Sequence, residues 1–106
     1  MSNEPVKKEQ SNVAIMEREK VKEPKMYKVL MHNDDYTTME FVVHVLQKFF
    51  SKNPQEATAI MLKVHNEGAG VAGIYTQEVA ETKSAKVMQY AKLKEHPLKC
   101  TIEPCE

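Results

Sequence analysis

Residues 37–68 read TTMEFVVHVLQKFFSKNPQEATAIMLKVHNEG, and the order of signals in this stretch decides the fold. Twice a capping residue is followed three positions later by a glutamate: Thr37 by Glu40, and Asn53 by Glu56. In such a pair the side chains and backbone exchange hydrogen bonds across a first turn, so each predicts a helix start. After the first, Val42, Val45, Leu46 and Phe49 recur at helical spacing and predict an amphipathic helix over 38–50. After the second, Pro54 suits the first helical position, where its missing N–H would have had no partner. Ala57, Ile60, Met61 and Val64 form the apolar stripe of this helix, and Gly68 stops it. The linker between the two helices is short, which makes them antiparallel neighbours.

Working outward, MYKVLMH (26–32) combines alternation with an apolar centre and predicts a strand. Downstream, GVAGIYT from Gly70 is a second strand. Thr76 then opens a third helix, with Ala80, Ser84, Val87, Met88 and Ala91 on one face and Pro97 at its end. LKCTIE (98–103) alternates Leu98, Cys100 and Ile102 as a last strand. The expected fold is α+β: a small three-stranded antiparallel sheet covered by three helices, in the order β-α-α-β-α-β. Residues 1–24 are rich in Lys, Glu, Asn and Gln and poor in large apolar side chains. They cannot bury enough area to offset their ordering entropy, so a disordered N-terminal tail is expected ahead of one domain over 25–106.

Composition narrows the function. Lys and Arg number 15 and Asp and Glu 15, giving a formal net charge of zero. That argues against a nucleic-acid module, which needs a basic surface. No run approaches the roughly 20 apolar residues of a membrane span, and MSNEPVKKEQ carries no apolar signal core, so a cytoplasmic protein is expected. Cys100 and Cys105 are then reduced thiols, and without a CxxC or a His pair they make a poor zinc site. The GAG at 68–70 lacks the Lys-Ser/Thr of a phosphate loop.

HNDDYTT (32–38), between the first strand and the first helix, is the candidate for chemistry. Asn33, Asp34 and Asp35 are turn formers, and acids before a helix complement its dipole. With Thr37 taken as the cap, however, three consecutive turn formers exceed what a cap requires. Antiparallel packing brings His65, in the C-terminal half of the second helix, close to this loop. Met39 and Val42 on one helix and Met61 and Val64 on the other adjoin the same spot. Taken singly they are core residues, but Met also lines adaptable binding surfaces. Together they describe a small pocket with a polar, acidic rim and an apolar floor. An apolar floor suits neither a hard cation nor a catalytic zinc, and no Ser or Cys nucleophile is near the acids and His65. A free peptide N-terminus with a large apolar first side chain does fit: its ammonium can donate to the Asn33 oxygen, a carboxylate and a His65 nitrogen.

NDDYTTMEFV, ATAIMLKVHNEG, VAETK and EHPLKC together closely resemble the ClpS adaptor family, over roughly Met26 to Ile102. The resemblance implies a non-enzymatic adaptor that recognises N-terminal degradation signals beginning with Leu, Phe, Tyr or Trp. It implies delivery of them to a Clp ATPase–protease, usually ClpA with ClpP, with no cofactor or metal. Asn33, Asp34 and His65 would bind the α-amino group, and Asp35 and Thr37 the first peptide units. Met39, Val42, Met61, Val64 and Leu98 would line the side-chain pocket. Glu78 and Lys83 in the VAETK region would dock the N-terminal domain of the ATPase, where otherwise a solvated helix face would be read. The tail would serve delivery. Thr38 stands where many relatives have Pro, a change expected to cost little. Two other readings stay open: a small metal-dependent hydrolase using Asp34, Asp35 and His65, and a passive interaction module resembling the ribosomal stalk C-terminal domain.

Overall fold

The computed structural model describes residues 24–106. The chain runs through β1 (Met26–His32), α1 (Met39–Phe50), α2 (Pro54–Glu67), β2 (Ala69–Thr76), α3 (Gln77–Leu93) and β3 (Lys99–Pro104), the order expected from the sequence. Except for Pro24, the expected tail lies outside the described residues.

β1 is the middle strand of a sheet ordered β2-β1-β3, antiparallel to both neighbours. Its two-residue period sends Val29 and Met31 into the core, while Lys28, Leu30 and His32 stay partly exposed. On the β2 side the register shifts between Val29 and Leu30, a bulge that increases the local twist. The covered face of the sheet meets Val45 and Leu46 of α1, Ala57 and Val64 of α2, and Ala80, Val87 and Ala91 of α3 in one hydrophobic cluster.

Side-chain chemistry sets the starts of α1 and α2, with one correction, whereas Thr76 stands at the cap position of α3 without a side-chain cap hydrogen bond. The Asn53–Glu56 box forms in both directions: the Glu56 N–H donates to Asn53 Oδ1 at 2.8 Å, and the Asn53 N–H to Glu56 Oε1 at 3.1 Å. The Thr37–Glu40 box does not form. Thr38 is the cap of α1, its hydroxyl accepting from the Phe41 N–H at 3.1 Å. The Thr37 N–H is instead taken by Asp34, so nothing is left for Glu40 to receive. Thr38 thus supplies a cap where a proline could not.

α3 buries Ala80, Ser84, Val87 and Ala91, while Met88 lies at the edge of the expected face and is 36% exposed. The helix stops in a Schellman motif: the Glu95 N–H donates to the Lys92 carbonyl at 3.0 Å and the His96 N–H to the Ala91 carbonyl at 2.8 Å. This turn requires a left-handed residue, usually glycine, yet Glu95 occupies it at φ 66°. Pro97 follows, and its ring disfavours a helical backbone at His96.

Candidate functional site

The loop after β1 is pinned to the far end of α2. The Asn33 N–H donates to the Gly68 carbonyl at 2.9 Å, and Gly68, at φ 92°, is the left-handed residue that ends α2. The loop therefore lies beside the C-terminal half of α2, across from the first turn of α1. Between them is a cavity of about 240 Å³ lined by Asn33, Asp34, Asp35, Thr37, Met39, Val42, Met61, Val64 and His65. Nine of the ten residues expected at a substrate site are thus brought together. The tenth, Leu98, is 4% exposed within the core and is not among the lining residues. The volume is below the roughly 300–1,000 Å³ of sites for whole small molecules, so it is sized for one side chain.

The cavity has two chemical ends. Val42 and Val64 are buried and make its floor, whereas Met61 is half-buried and Met39 is 44% exposed at the mouth. The depth of the floor depends on Gly70. A Cβ there would lie 2.9 Å from Val64 Cγ2 and 3.4 Å from the Ile60 carbonyl, so only glycine lets α2 settle this close to β2 without displacing Val64.

At the other end Asp34 organises the loop. Its Oδ1 accepts from the Tyr36 N–H at 2.8 Å and the Thr37 N–H at 2.6 Å, and its Oδ2 from the Thr37 hydroxyl at 2.7 Å. Partial burial works to raise the pKa of this carboxyl. The Thr37 N–H, the Thr37 hydroxyl, the Tyr36 N–H and the charge of His96 together outweigh burial and hold it below its ordinary value. A carboxylate has about four acceptor positions, and three are filled, which leaves one for a ligand. Asn33, Asp35 and His65 are exposed at the cavity. Among the described residues, no three of His, Cys, Asp and Glu converge as a metal-ligand set.

Glu78 and Lys83 are at a different place. They line a cavity of about 460 Å³ together with Lys48, Phe49, Val79, Thr82 and Lys86, between the last turn of α1 and the start of α3. Lys83 is part of the fold: its Nζ donates to the Phe49 carbonyl at 2.8 Å and lies 5.2 Å from the Tyr75 ring centroid. The carbonyl is one of those left without a helical partner at the end of α1, and a cation there also complements the helix dipole.

One residue that bears on the acidic loop has no counterpart among the sequence candidates. His96 stacks on Phe41 with ring centroids 4.0 Å apart, and its charge is the last among the causes that lower the pKa of Asp34. The available signal was EHPLKC itself, since a histidine before proline cannot continue a helix and must turn back.

Comparison with known proteins places these features among relatives. The family model described as "ATP-dependent Clp protease adaptor protein ClpS" matches residues 22–101. The ATP-dependent Clp protease adapter protein ClpS of Rhodospirillum centenum is 59% identical over 93 residues, 88% of this chain and 86% of that protein. Its namesake from Desulfatibacillum aliphaticivorans is 62% identical over 86 residues, 81% of this chain and 83% of that one. Among solved structures, Agrobacterium tumefaciens ClpS2 bound to L-phenylalaninamide superposes with a TM-score of 0.75 at 36% identity. It covers 78% of this chain and 100% of its own.

Proposed function

This chain belongs to the ClpS family of ATP-dependent Clp protease adaptors, and from that premise we propose that it binds protein N-termini with a large hydrophobic first residue and delivers them to a ClpA-type ATPase working with ClpP. The observation that carries this reading is the two-ended cavity: hydrogen-bond acceptors at one end, a Met and Val floor at the other, and room for one side chain between. L-phenylalaninamide, held by the Agrobacterium protein, has the same two parts. It carries a free α-amine and one large apolar side chain, with an amide in place of the next peptide unit.

In this reading the ammonium donates to the Asn33 side-chain oxygen, the free position on Asp34 and a ring nitrogen of His65. Asp35 and Thr37 meet the first peptide units, and Met39, Val42, Met61 and Val64 enclose the side chain, with Leu98 as packing behind. Burying a Leu or Phe side chain is worth about 1.5–3 kcal/mol, and each charge-assisted hydrogen bond about 1.5–3 kcal/mol. Against an association cost of at least about 4 kcal/mol, the balance is compatible with roughly micromolar affinity. Glu78 and Lys83 mark the face that docks the ATPase, and residues 1–24 serve delivery. No bond is made or broken on the adaptor, its place of action is the cytoplasm, and hydrolysis belongs to the protease.

The test is fluorescence anisotropy of a labelled peptide beginning with free Leu against its N-acetylated twin, both with EDTA. Acetylation removes the charge and leaves acceptors unpaired, a loss of about 2–5 kcal/mol, so the twin should bind at least about thirtyfold more weakly. Equal or absent binding of the two peptides would overturn the reading. In a repeat without EDTA, binding that appears only there would favour the metal alternative.

A further inference from the structure

Three lysines line the groove between the last turn of α1 and the start of α3, and they are not equivalent. Lys83 is half-buried, whereas Lys48 and Lys86 are exposed. A lysine ammonium has three N–H groups, and three acceptors of the protein itself surround that of Lys83. The Phe49 carbonyl lies at 2.8 Å, and the ring centroids of Tyr75 and Phe50 at 5.2 and 5.9 Å. The ammonium is occupied within the fold and keeps no N–H for a carboxylate of a partner. Through the Phe49 carbonyl it joins the end of α1 to α3, and so fixes the two walls of the groove relative to each other.

The exposed lysines have no such enclosure. Lys48 rests over Phe49 and Tyr90, its Nζ 5.8 and 5.5 Å from their centroids, on rings that hold it at the rim and leave it in solvent. Lys86 stands about one turn beyond Lys83 on the same side of α3. Among the described residues Glu78 is the one carboxylate of the lining, so the groove carries a surplus of positive charge on a chain whose formal net charge is zero. Its apolar part is Phe49 and Val79, the latter 42% exposed. Cations beside an exposed apolar floor fit a polypeptide segment that brings an apolar side chain flanked by carboxylates.

We propose that this groove receives an acidic segment of the ATPase, that Lys48 and Lys86 meet its carboxylates, and that Lys83 is a positioning residue that sets the groove and makes no ion pair with the partner. This rests on the docking face given under Proposed function and adds the chemistry of the segment that fits it. The two kinds of lysine respond differently to salt. Exposed charges are screened over about 10 Å at 0.1 M ionic strength, and partly buried ones much less. A contact made by Lys48 or Lys86 therefore weakens as salt rises, while the bond from Lys83 to the Phe49 carbonyl persists.

The experiment uses the full chain and the assembled ClpA-type ATPase, immobilised for biolayer interferometry, at low and high salt. Wild-type binding should weaken as salt rises. Lys48→Gln and Lys86→Gln should each bind about two- to fivefold more weakly at low salt and converge on wild type at high salt. Lys83→Met should bind up to about tenfold more weakly, the worth of one hydrogen bond to a charged group, and should keep most of that loss at high salt. Its urea midpoint should fall, and those of the exposed variants should not. Lys48→Gln and Lys86→Gln are surface changes that leave the fold intact, so they test the acidic occupant even where Lys83→Met does not fold. If both bound like wild type at every salt concentration, the acidic segment would be overturned and the docking face left standing. A Lys83→Met loss that vanishes at high salt with an unchanged urea midpoint would make Lys83 an ion contact and overturn its positioning role. Absence of ATPase binding by wild type would overturn the docking face and its acidic occupant together.

Discussion

Replacing Asp34 separates what this residue does for the loop from what it does for a ligand. In Asp34→Ala the N–H of Tyr36 and the N–H and hydroxyl of Thr37 lose the acceptor they share. Tyr36 is exposed, so water replaces most of what its N–H loses, whereas Thr37 is partly buried and loses more. At about 0.5–1 kcal/mol for each partly solvated bond, the variant should be less stable by roughly 2 kcal/mol. Asp34→Asn keeps a carbonyl oxygen for both N–H groups and an amide that can meet the Thr37 hydroxyl, so its loss should stay below about 1 kcal/mol. The two variants also share an acid signature. The carboxyl is held below its ordinary pKa in the folded protein. Its contribution is therefore present above the ordinary carboxylate value and lost as pH falls through the lowered one, a step that both variants lack. Binding should divide differently. Neither variant carries the charge, so both should hold a free Leu peptide about thirtyfold more weakly, from a loss of about 2 kcal/mol. Urea unfolding and peptide anisotropy on the same samples measure both quantities. If Asp34→Asn bound like wild type, the carboxylate would be a loop organiser only and its assignment to the ammonium would be wrong.

Three further outcomes are expected. Met39→Ala should admit peptides beginning with Ile or Val, because the branched β-carbon otherwise meets Met39 at the mouth and overfilling such a site costs about 1–3 kcal/mol; a titration in which the variant still excludes them would refute the steric account. Glu95→Gly should raise stability by about 1 kcal/mol, since a left-handed L-residue costs about 1–2 kcal/mol, and the melting temperature by roughly 4–8 °C; an unchanged melting temperature would show that the turn at φ 66° is unstrained. Burial pushes the Cys100 thiol from 9.0 up to about 12, so its contribution is whole below pH 9 and is lost as pH rises toward 12. Urea midpoints should fall across that range less steeply in Cys100→Ala, and parallel curves would count against it.

Element order was legible because periodicity changes cleanly from two to 3.6 at the loop after β1 and back again at Gly68, and because Asn53, Pro54 and Glu56 act only on their immediate neighbours. The start of α1 was misread for a reason that is also local. Thr37 and Thr38 are both capping residues, and which of them caps depends on whether Asp34 claims the first. That competition is decided by how the loop folds in three dimensions. The grouping of Asn33, Asp34 and His65 followed from antiparallel helices alone, since a short linker leaves the chain few other ways to return. Leu98 could not be placed by pattern, because an apolar residue at the start of a strand reads the same whether it faces a cavity or the core. His96 was passed over because its placement depends on a left-handed glutamate, and glutamate gives no turn signal in a sequence.

α1 also acts as a ruler. Met39 in its first turn lines one cavity and Phe49 in its last turn lines the other, and ten residues of helix span about 15 Å. On the functional reading proposed above, a peptide N-terminus at the first cavity and the ATPase at the second would share no lining residue. Neither would then have to leave its cavity for the other to enter, and a ternary complex could assemble by either route.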